Sequence, residues 1–123
     1  MKKIFQGNVE ELSKETKGWF LGHFMKEDTP FKTDDFEIKW GKHKKGLKDV
    51  MVASNKTAKT MAVLLKGKFL FRFPDKKILL KKEGDFVFYN AGVAHTWEVK
   101  EDCLLLSIRW PSKPADQIKS SLK

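Results

Sequence analysis

The sequence predicts an all-β domain, a sandwich or barrel made of many short strands. Apolar and polar residues alternate in segments such as 36–40, as they do in strands with one buried face. Turn residues separate these segments at short intervals, and no helix-length apolar pattern lies between them, which argues against a parallel α/β sheet. With 123 residues, the chain is long enough for one domain with one core. The predicted strands are 19–25, 36–40, 49–53, 60–65, 69–73, 78–80, 86–89, 95–99 and 104–110.

The two ends of the chain depart from this strand pattern. Asn8 and Glu11 have the spacing of a helix N-cap and its capping-box acid, so we predict a short helix or turn that Gly18 ends. At the other end, Ile118 and Leu122 fit either a last helical turn or a frayed tail. We therefore divide the chain into an N-terminal extension (1–17), a barrel (18–112) and a C-terminal tail (113–123).

The chain is strongly basic, with 25 lysine and arginine residues, 16 acidic residues and a formal net charge of +9. Only Arg72 and Arg109 are arginine, the residue whose planar fork reads base edges best. The lysines are scattered along the chain and cluster at predicted turns and strand ends, where lysine is solvated and guards sheet edges. We therefore expect no specific nucleic-acid partner, only non-specific attraction to polyanions at low salt.

Composition also bears on the compartment. Hydrophobic residues make up 41% and charged residues 33% of the chain, which excludes a disordered protein. The longest uninterrupted apolar run, 61–65, is far shorter than the roughly 20 residues of a membrane helix. The segment 1–3 is basic, but no apolar segment of a signal peptide follows it. The single cysteine, Cys103, excludes an internal disulfide and is typical of a reducing compartment. We expect a cytoplasmic protein without a membrane partner.

Residues 84–97 carry a characteristic spacing of glycines and a histidine. Gly84 is followed by five residues, then Asn90, one residue, Gly92, two residues and His95. This spacing resembles the second signature of the cupins, with Asn90 where a proline is usual. The resemblance implies a double-stranded β-helix, the jelly-roll barrel of that superfamily, with His95 pointing into the barrel mouth. The segments 18–24, 40–46 and 109–112 are similar to a group of small single-domain bacterial cupins, to which we attach no reaction.

The first cupin signature is degenerate. Gly67 fits its closing glycine, but the glutamate position is then Thr60, and no histidine occurs at 53–55. If a loop is inserted, His43 takes the first histidine position. The resemblance therefore implies at most two ligands of the usual metal site, His95 and His43. Because a firm site needs at least three protein ligands, we expect no certain cofactor and at most a weakly bound divalent metal.

Five residues are candidates for binding a small molecule. His95 and Trp97 are two residues apart, so they share one strand face, and Tyr89 offers a hydroxyl at the barrel mouth. Trp40 and Thr60 complete the set. Trp40 and His43 are three residues apart, which puts them on opposite faces of a regular strand. A bulge at the intervening glycine, residue 41, would bring both to the side opposite His95.

Three further residues have simpler interpretations. His23 lies in an aromatic segment and is expected to be packed or partly exposed rather than a ligand. Arg109, late in the last strand, can pair with an anion or, more commonly, with an acidic neighbour. Cys103 follows two acidic residues and precedes three leucines, so we expect a buried small hydrophobe with a raised pKa rather than a nucleophile.

Three classes of function remain open, and the catalytic residues of any reaction are unknown. The first is a protein that binds a small, partly apolar molecule, with an anionic group, in an aromatic cavity. The second is a metal-dependent cupin enzyme, a dioxygenase or isomerase using His95 and His43, with a metal-free isomerase based on His95 and Tyr89 as a variant. The third is a structural or regulatory protein. We also expect a homodimer, with the aromatic strand 19–25 as its interface.

Overall fold

The computed structural model describes residues 3–121 and consists mostly of β-strand. No helix among the described residues is long and apolar enough to cross a membrane. One helical turn precedes eight strands. In chain order the elements are α1 (Val9–Leu12), β1 (Trp19–Leu21), β2 (Glu37–His43), β3 (Met51–Asn55), β4 (Lys59–Phe73), β5 (Lys76–Leu80), β6 (Phe86–Tyr89), β7 (Thr96–Trp110) and β8 (Gln117–Ser121).

All pairs of named strands are antiparallel, so the predicted all-β class is confirmed. The larger sheet has six strands in the order β1-β2-β7-β4-β5, and β6 also pairs with the first part of β4. The second sheet consists of β3 and β8. Backbone hydrogen bonds between Ala53 and His95, and from Asp49 to Trp97, connect the segment around β3 to the start of β7. The two sheets therefore form one β structure.

The two longest strands, β4 and β7, each replace two predicted short strands. The predicted turns at Lys66-Gly67 and Glu101-Asp102 are wrong, because strands β4 and β7 continue through both positions. They lie opposite each other, where the β4–β7 register shifts between Leu64 and Phe69. Turn residues inside a strand are typical of a bulge, which bends a strand without ending it. This bend lets one pair of strands contribute to both halves of the sheet.

The core follows from the alternation of side chains on these strands. Inward-facing residues of β4, β5, β6 and β7 pack into one cluster, while their sequence neighbours face outward. The phenyl rings of Phe69 and Phe71 pack with centroids 4.9 Å apart and join this cluster to the rings of the cavity described below. The cluster contains Ala62, Leu64, Phe69, Phe71, Leu80, Val87, Tyr89, Val99, Cys103 and Leu105.

Both chain ends can be compared with their predictions. The short N-terminal helix is confirmed: the Asn8 side chain accepts hydrogen bonds from the backbone N–H groups of Glu10 and Glu11. The helical turn predicted around Ile118 is wrong, because Gln117–Ser121 forms strand β8 along β3; Leu122 lies outside the described residues. Backbone pairing with β3 stabilises this segment as a strand despite its exposed side chains.

Asp116 fixes the connection between the C-terminal segment and the start of β4. Its buried carboxylate accepts hydrogen bonds from the backbone N–H groups of Thr57 and Ala58 and from the amide of Asn55. Burial alone would raise the pKa of Asp116, but these hydrogen bonds outweigh it and hold the pKa below its usual value. The segment containing β8 is therefore attached by side-chain as well as backbone contacts.

Candidate functional site

A cavity of about 250 Å³ lies inside the barrel. Its residues come from both sheets, and one row of inward-facing positions crosses four neighbouring strands from Glu37 through Arg109 and Thr60 to Tyr89. The lining combines aromatic rings with a small number of polar and charged groups. It contains Trp19, Lys39, His43, Asp49, Ala53, Thr60, Ala62, Phe69, Phe71, Tyr89, His95, Trp97, Leu105, Ser107, Arg109, Gln117 and Lys119.

His95 is 5% exposed, and its ring is fixed at both nitrogens. Nδ1 lies 3.0 Å from the carbonyl oxygen of Val93. A carbonyl only accepts, so Nδ1 carries the proton. In the neutral ring Nε2 is then an acceptor, and the hydroxyl of Tyr89, 3.2 Å away, donates to it. Burial lowers the pKa of His95 and raises that of Tyr89, so both groups are neutral near pH 7.

Aromatic rings form the wall next to this pair. The rings of Trp97 and Phe69 are stacked with centroids 5.3 Å apart, and the His43 imidazole lies 5.6 Å from Trp97 and 5.9 Å from Phe69. Burial, with a smaller contribution from the charge of Lys39, lowers the pKa of His43 to about 4. His43 is therefore an uncharged member of an aromatic wall at neutral pH.

Arg109 is held by an ion pair and an aromatic ring. Its Nη1 donates to Glu37 Oε2 at 3.3 Å, and its guanidinium carbon lies 4.8 Å from the centre of the Trp19 ring. Glu37 is positioned in turn by Ser112, whose hydroxyl donates to Oε1 at 2.7 Å. The backbone N–H of His23 donates to the same hydroxyl, and its Nδ1 lies 2.7 Å away. The guanidinium therefore has a defined orientation at the edge of the cavity.

Lys39 supplies a second cation on the same side. Its Nζ lies 5.8 Å from the centre of the Trp19 ring, so that ring interacts with two cations. Burial, and then the charge of Arg109, lowers the pKa of Lys39. Burial raises the pKa of Asp49, the carboxyl group in the lining, against the opposing effects of Lys119 and Lys39. Burial is the main cause of both shifts, and the charges of Lys39, Asp49 and Lys119 act on one another across the cavity.

Two polar atoms of the central row have no hydrogen-bond partner among residues 3–121. They are Nε of Arg109 and the hydroxyl oxygen of Thr60, both buried and both on residues that border the cavity. The Thr60 hydroxyl lies beside the Tyr89 phenol and acts to lower its pKa, but it is outside hydrogen-bond geometry. The two residues are register partners on β4 and β7. A buried polar group without a partner costs about 1–3 kcal/mol of stability, so such groups are uncommon in folded proteins.

Four of the five candidate binding residues lie together around the cavity, namely Tyr89, His95, Trp97 and Thr60. Whether they bind a ligand stays a prediction. Trp40 lies on the opposite face of β2, where its indole N–H donates to Glu10 Oε2 at 3.3 Å.

His43 and Trp40 are separated because β2 is a regular strand. The predicted bulge at Gly41 is wrong, since the β2–β7 register is unbroken from Glu37 to His43. Three-residue spacing then places Trp40 outward and His43 at the cavity. Gly41 instead leaves room for the imidazole, because a Cβ at this position would lie 2.8 Å from His43 Nε2.

The simpler interpretations of three other residues agree with the structure. Arg109 pairs with an acidic neighbour, Glu37, and His23 is partly exposed within a polar cluster. Cys103 is buried, and burial followed by the charge of Asp102 raises the pKa of its thiol to about 11. Such a thiol carries almost no thiolate at neutral pH.

Sequence reasoning missed most of the charged lining. Lys39, Asp49 and Lys119 border the cavity, although each was interpreted only as part of a strand or tail. One signal was available: Lys39 and His43 are four residues apart and therefore share a strand face. The contribution of β8 had no such signal, because its side chains are exposed and its position depends on pairing with β3.

The side chains present do not fit the metal site that the family resemblance implies. His95 Nε2 is engaged by Tyr89, and its Nδ1 by a carbonyl. His43 has charged Lys39 nearby. Within residues 3–121, no group of three or more His, Cys, Asp and Glu side chains lies close enough to hold a metal ion. We therefore derive no metal-dependent step from this donor set.

Comparison with known proteins gives structural neighbours only. No family model matches the chain, and no curated protein is similar in sequence. A cupin superfamily protein from Desulfitobacterium hafniense superposes with a TM-score of 0.57 and 23% identity over 63% of this chain and 69% of its own. Streptomyces PAC13, solved with uridine, superposes with a TM-score of 0.63 and 8% identity over 73% of this chain and 72% of its own. The DMSP lyase DddQ from Ruegeria pomeroyi superposes with a TM-score of 0.59 and 19% identity over 76% of this chain and 47% of its own.

The fold of this chain is that of the cupin superfamily, a double-stranded β-helix, as the spacing around His95 predicts. The neighbours include both enzymes and cupins without an assigned role, so the likeness defines the fold and no specific activity.

Proposed function

We propose that this protein binds a small, partly apolar molecule in the barrel cavity. The observation that carries the proposal is a cavity inside the barrel whose aromatic walls surround a few polar residues, among them Thr60, Tyr89, His95 and Arg109. This composition is typical of ligand pockets, in which apolar surface supplies affinity and placed polar groups supply orientation. A variant of Streptomyces PAC13, a protein of similar fold, has been solved with uridine, which supports a small-molecule ligand for this chain.

The size of the cavity limits the ligand. Its volume of about 250 Å³ lies just below the range of about 300–1,000 Å³ that is common for drug-sized ligands. The ligand is therefore a single small ring or a short branched chain.

The lone buried cysteine, Cys103, supports a cytoplasmic location for this binding function.

Thr60→Val is expected to raise the melting temperature of the ligand-free protein while it weakens ligand binding. The change keeps the shape of the side chain and removes a buried hydroxyl that lacks a partner, which stabilises the protein by about 1 kcal/mol. Thermal unfolding measures the first effect. A small-molecule screen by thermal shift, with divalent metal ions and a chelator as additional arms, measures the second.

Thr96→Val, at a partly buried strand threonine outside the cavity lining, is the matched control. It should leave ligand responses unchanged. If no molecule in the screen stabilises the native protein, the binding function is overturned. If only divalent ions stabilise it, and the effect disappears in His95→Ala, the metal-dependent alternative replaces it.

We also propose a homodimer formed through the outer face of the larger sheet. Two rows of apolar residues cross β2, β7, β4 and β6 on this face, and neither contains a charged residue. A chain with a net charge of +9 repels its copies wherever lysines meet, so two copies fit together best along rows that contain no lysine. The rows are Ile38, Ile108, Met61 and Phe88, then Trp40, Leu106, Val63 and Phe86.

This interface differs from the aromatic strand 19–25 expected from the sequence. Only Trp19–Leu21 is a strand, and Trp19 borders the cavity rather than an outer surface. In contrast, Phe86 and Phe88 are 57% and 43% exposed on the outer face. Apolar sheet faces pack on one another in stacked sheets about 10 Å apart.

Phe88→Lys is expected to convert the dimer to a monomer, because it places two lysines against each other across a symmetric interface. Multi-angle light scattering at high micromolar concentration measures the mass. Leu79→Lys is the matched control, since Leu79 is also 43% exposed but lies on β5, outside the two rows. A native protein that is monomeric, or a Phe88→Lys variant that stays dimeric, would contradict this interface.

A further inference from the structure

We propose that the ligand is a small organic monoanion, a carboxylate, bound by Arg109 and Lys39 at one side of the cavity. This inference rests on the proposed binding function and names the chemical class of its ligand. Three observations carry it: the charge balance of the lining, the fixed orientation of Arg109 and the lack of an ion pair between Lys39 and the described residues.

The charges around the cavity leave one positive charge uncompensated. Three cations border the cavity, Lys39, Arg109 and Lys119, and one carboxylate, Asp49, borders it with them. Glu37, which is not part of the lining, forms an ion pair with Arg109 and compensates its positive charge. The two histidines of the lining are neutral at pH 7, since burial lowers both of their pKa values. A ligand with one negative charge would neutralise this set, whereas a neutral or cationic ligand would not.

The Arg109 side chain has a fixed orientation in the protein without ligand. Glu37 accepts a hydrogen bond from Nη1, and the Trp19 ring lies over one face of the guanidinium. Because the side chain is already ordered, ligand binding loses little additional conformational entropy there. Nε is buried and has no partner among the described residues, so the N–H groups available to a ligand are those of the terminal nitrogens. The guanidinium fork matches a carboxylate through two parallel hydrogen bonds, which makes a carboxylate a better partner than a single-atom anion.

Lys39 is the second cation and forms no ion pair with the described residues, although the charge of Asp49 acts to raise its pKa. No carboxylate lies within ion-pair distance of its Nζ among residues 3–121. Burial and the nearby charge of Arg109 both lower its pKa. A half-buried cation next to a second cation is destabilised in the empty protein and stabilised when an anion lies between them.

Glu37 is a positioning residue in this arrangement. It contacts Arg109 rather than the ligand, and Ser112 and His23 hold it in place through the hydroxyl of Ser112. The opposite wall is aromatic, with Phe69 and Trp97 stacked on each other. The ligand therefore has an acid group at one end and a flat or branched apolar group at the other.

The test compares three carboxylates with their neutral amides: acetate, isobutyrate and benzoate against acetamide, isobutyramide and benzamide. Each pair has the same shape and differs in charge. Titrations at pH 7.5 are followed by the fluorescence of the native protein, in which Trp19 and Trp97 border the cavity. At least one carboxylate is expected to bind about tenfold or more tightly than its amide, and the preference should weaken with added salt.

Two variants assign the preference to the proposed residues. Lys39→Met should reduce the affinity for the preferred carboxylate about tenfold and leave amide affinity unchanged. Lys77→Met, on exposed β5, removes the same net charge from the surface and should change neither affinity. Glu37→Gln tests positioning, because removal of a negative charge alone would strengthen carboxylate binding, whereas loss of the Arg109 orientation weakens it.

The outcomes separate this inference from the binding function itself. If no carboxylate binds more tightly than its amide, or if Lys77→Met matches Lys39→Met, the carboxylate assignment is overturned. The binding function survives that result if other molecules in the screen stabilise the protein. Stronger carboxylate binding in Glu37→Gln would overturn the positioning role of Glu37.

Discussion

Gly67→Ala is expected to destabilise the protein by more than about 4 kcal/mol and to lower its melting temperature by about 15 °C. Gly67 lies in the bend of β4 with a φ of +90°, in the left-handed region that favours glycine. A Cβ at this position would lie 2.2 Å from the carbonyl oxygen of Asp102 and 2.6 Å from Cys103 Cα. Both neighbours are backbone atoms of β7, which cannot move without disrupting the β4–β7 pairing.

Gly84→Ala is the matched control for this prediction. Gly84 has a φ of +92°, almost the same as Gly67, but no atom lies within 4 Å of the position of its Cβ. This variant carries the backbone strain alone, and we expect a loss of about 1–2 kcal/mol. Chemical denaturation of the two variants measures the difference. Equal losses would show that the approach of β4 to β7 at the bend is looser than the structure indicates.

Acidification from pH 6.5 to about 4 is expected to lower the free energy of unfolding, and His43 is expected to cause much of the effect. Burial lowers the pKa of His43 to about 4 in the folded protein, whereas an unfolded histidine titrates near 6.5. Between these values the unfolded state binds more protons, so stability falls as the pH falls. Because the residue is partly exposed, we expect about 2 kcal/mol rather than the full value of the shift.

Other groups at the cavity modify this profile. Burial also lowers the pKa of His95, which acts in the same direction as His43. Burial raises the pKa of Asp49, so protonation of Asp49 favours the folded state and opposes the trend. The charge of Lys39 disfavours a protonated His43. The net result is a loss of stability on acidification, with a slope of at most about 1.4 kcal/mol per pH unit from each histidine.

His43→Gln should flatten the profile, because glutamine does not titrate. Urea denaturation at intervals between pH 4 and 7 measures the slope in the native protein and the variant. Lys45→Gln, at an exposed lysine two residues away, is the control and should keep the native slope. A His43→Gln variant whose stability falls as steeply as that of the native protein would place the acid sensitivity elsewhere.

Local patterns in the sequence predict much of the fold. Alternation identifies β6 to the residue and the start of β2 within one residue, although β2 continues three residues past its predicted end. The glycine spacing before His95 predicts the cupin fold. Tyr89, His95 and Trp97 were placed at the cavity by two-residue spacing and by the turn between them. These features depend on side-chain alternation and turn conformation, which neighbouring residues determine.

Contacts between residues distant in the chain decided where strands bend and where they stay regular. The signals at Lys66-Gly67 and Glu101-Asp102 are the same whether the chain turns or bulges, and only the pairing of β4 with β7 makes them bulges. Likewise, Gly41 permits a bulge, but the unbroken register with β7 excludes one and separates Trp40 from His43.

The sequence by itself determined the fold class, the motif that aims His95 into the barrel and the aromatic character of the interior. The tertiary structure decided which charges meet there. Glu37 and Ser112 are 75 residues apart in the chain, yet they orient the guanidinium of Arg109. Lys119 reaches the cavity only because β8 pairs with β3. Electrostatic balance is a sum over groups brought together by folding, so no local pattern in the chain contains it.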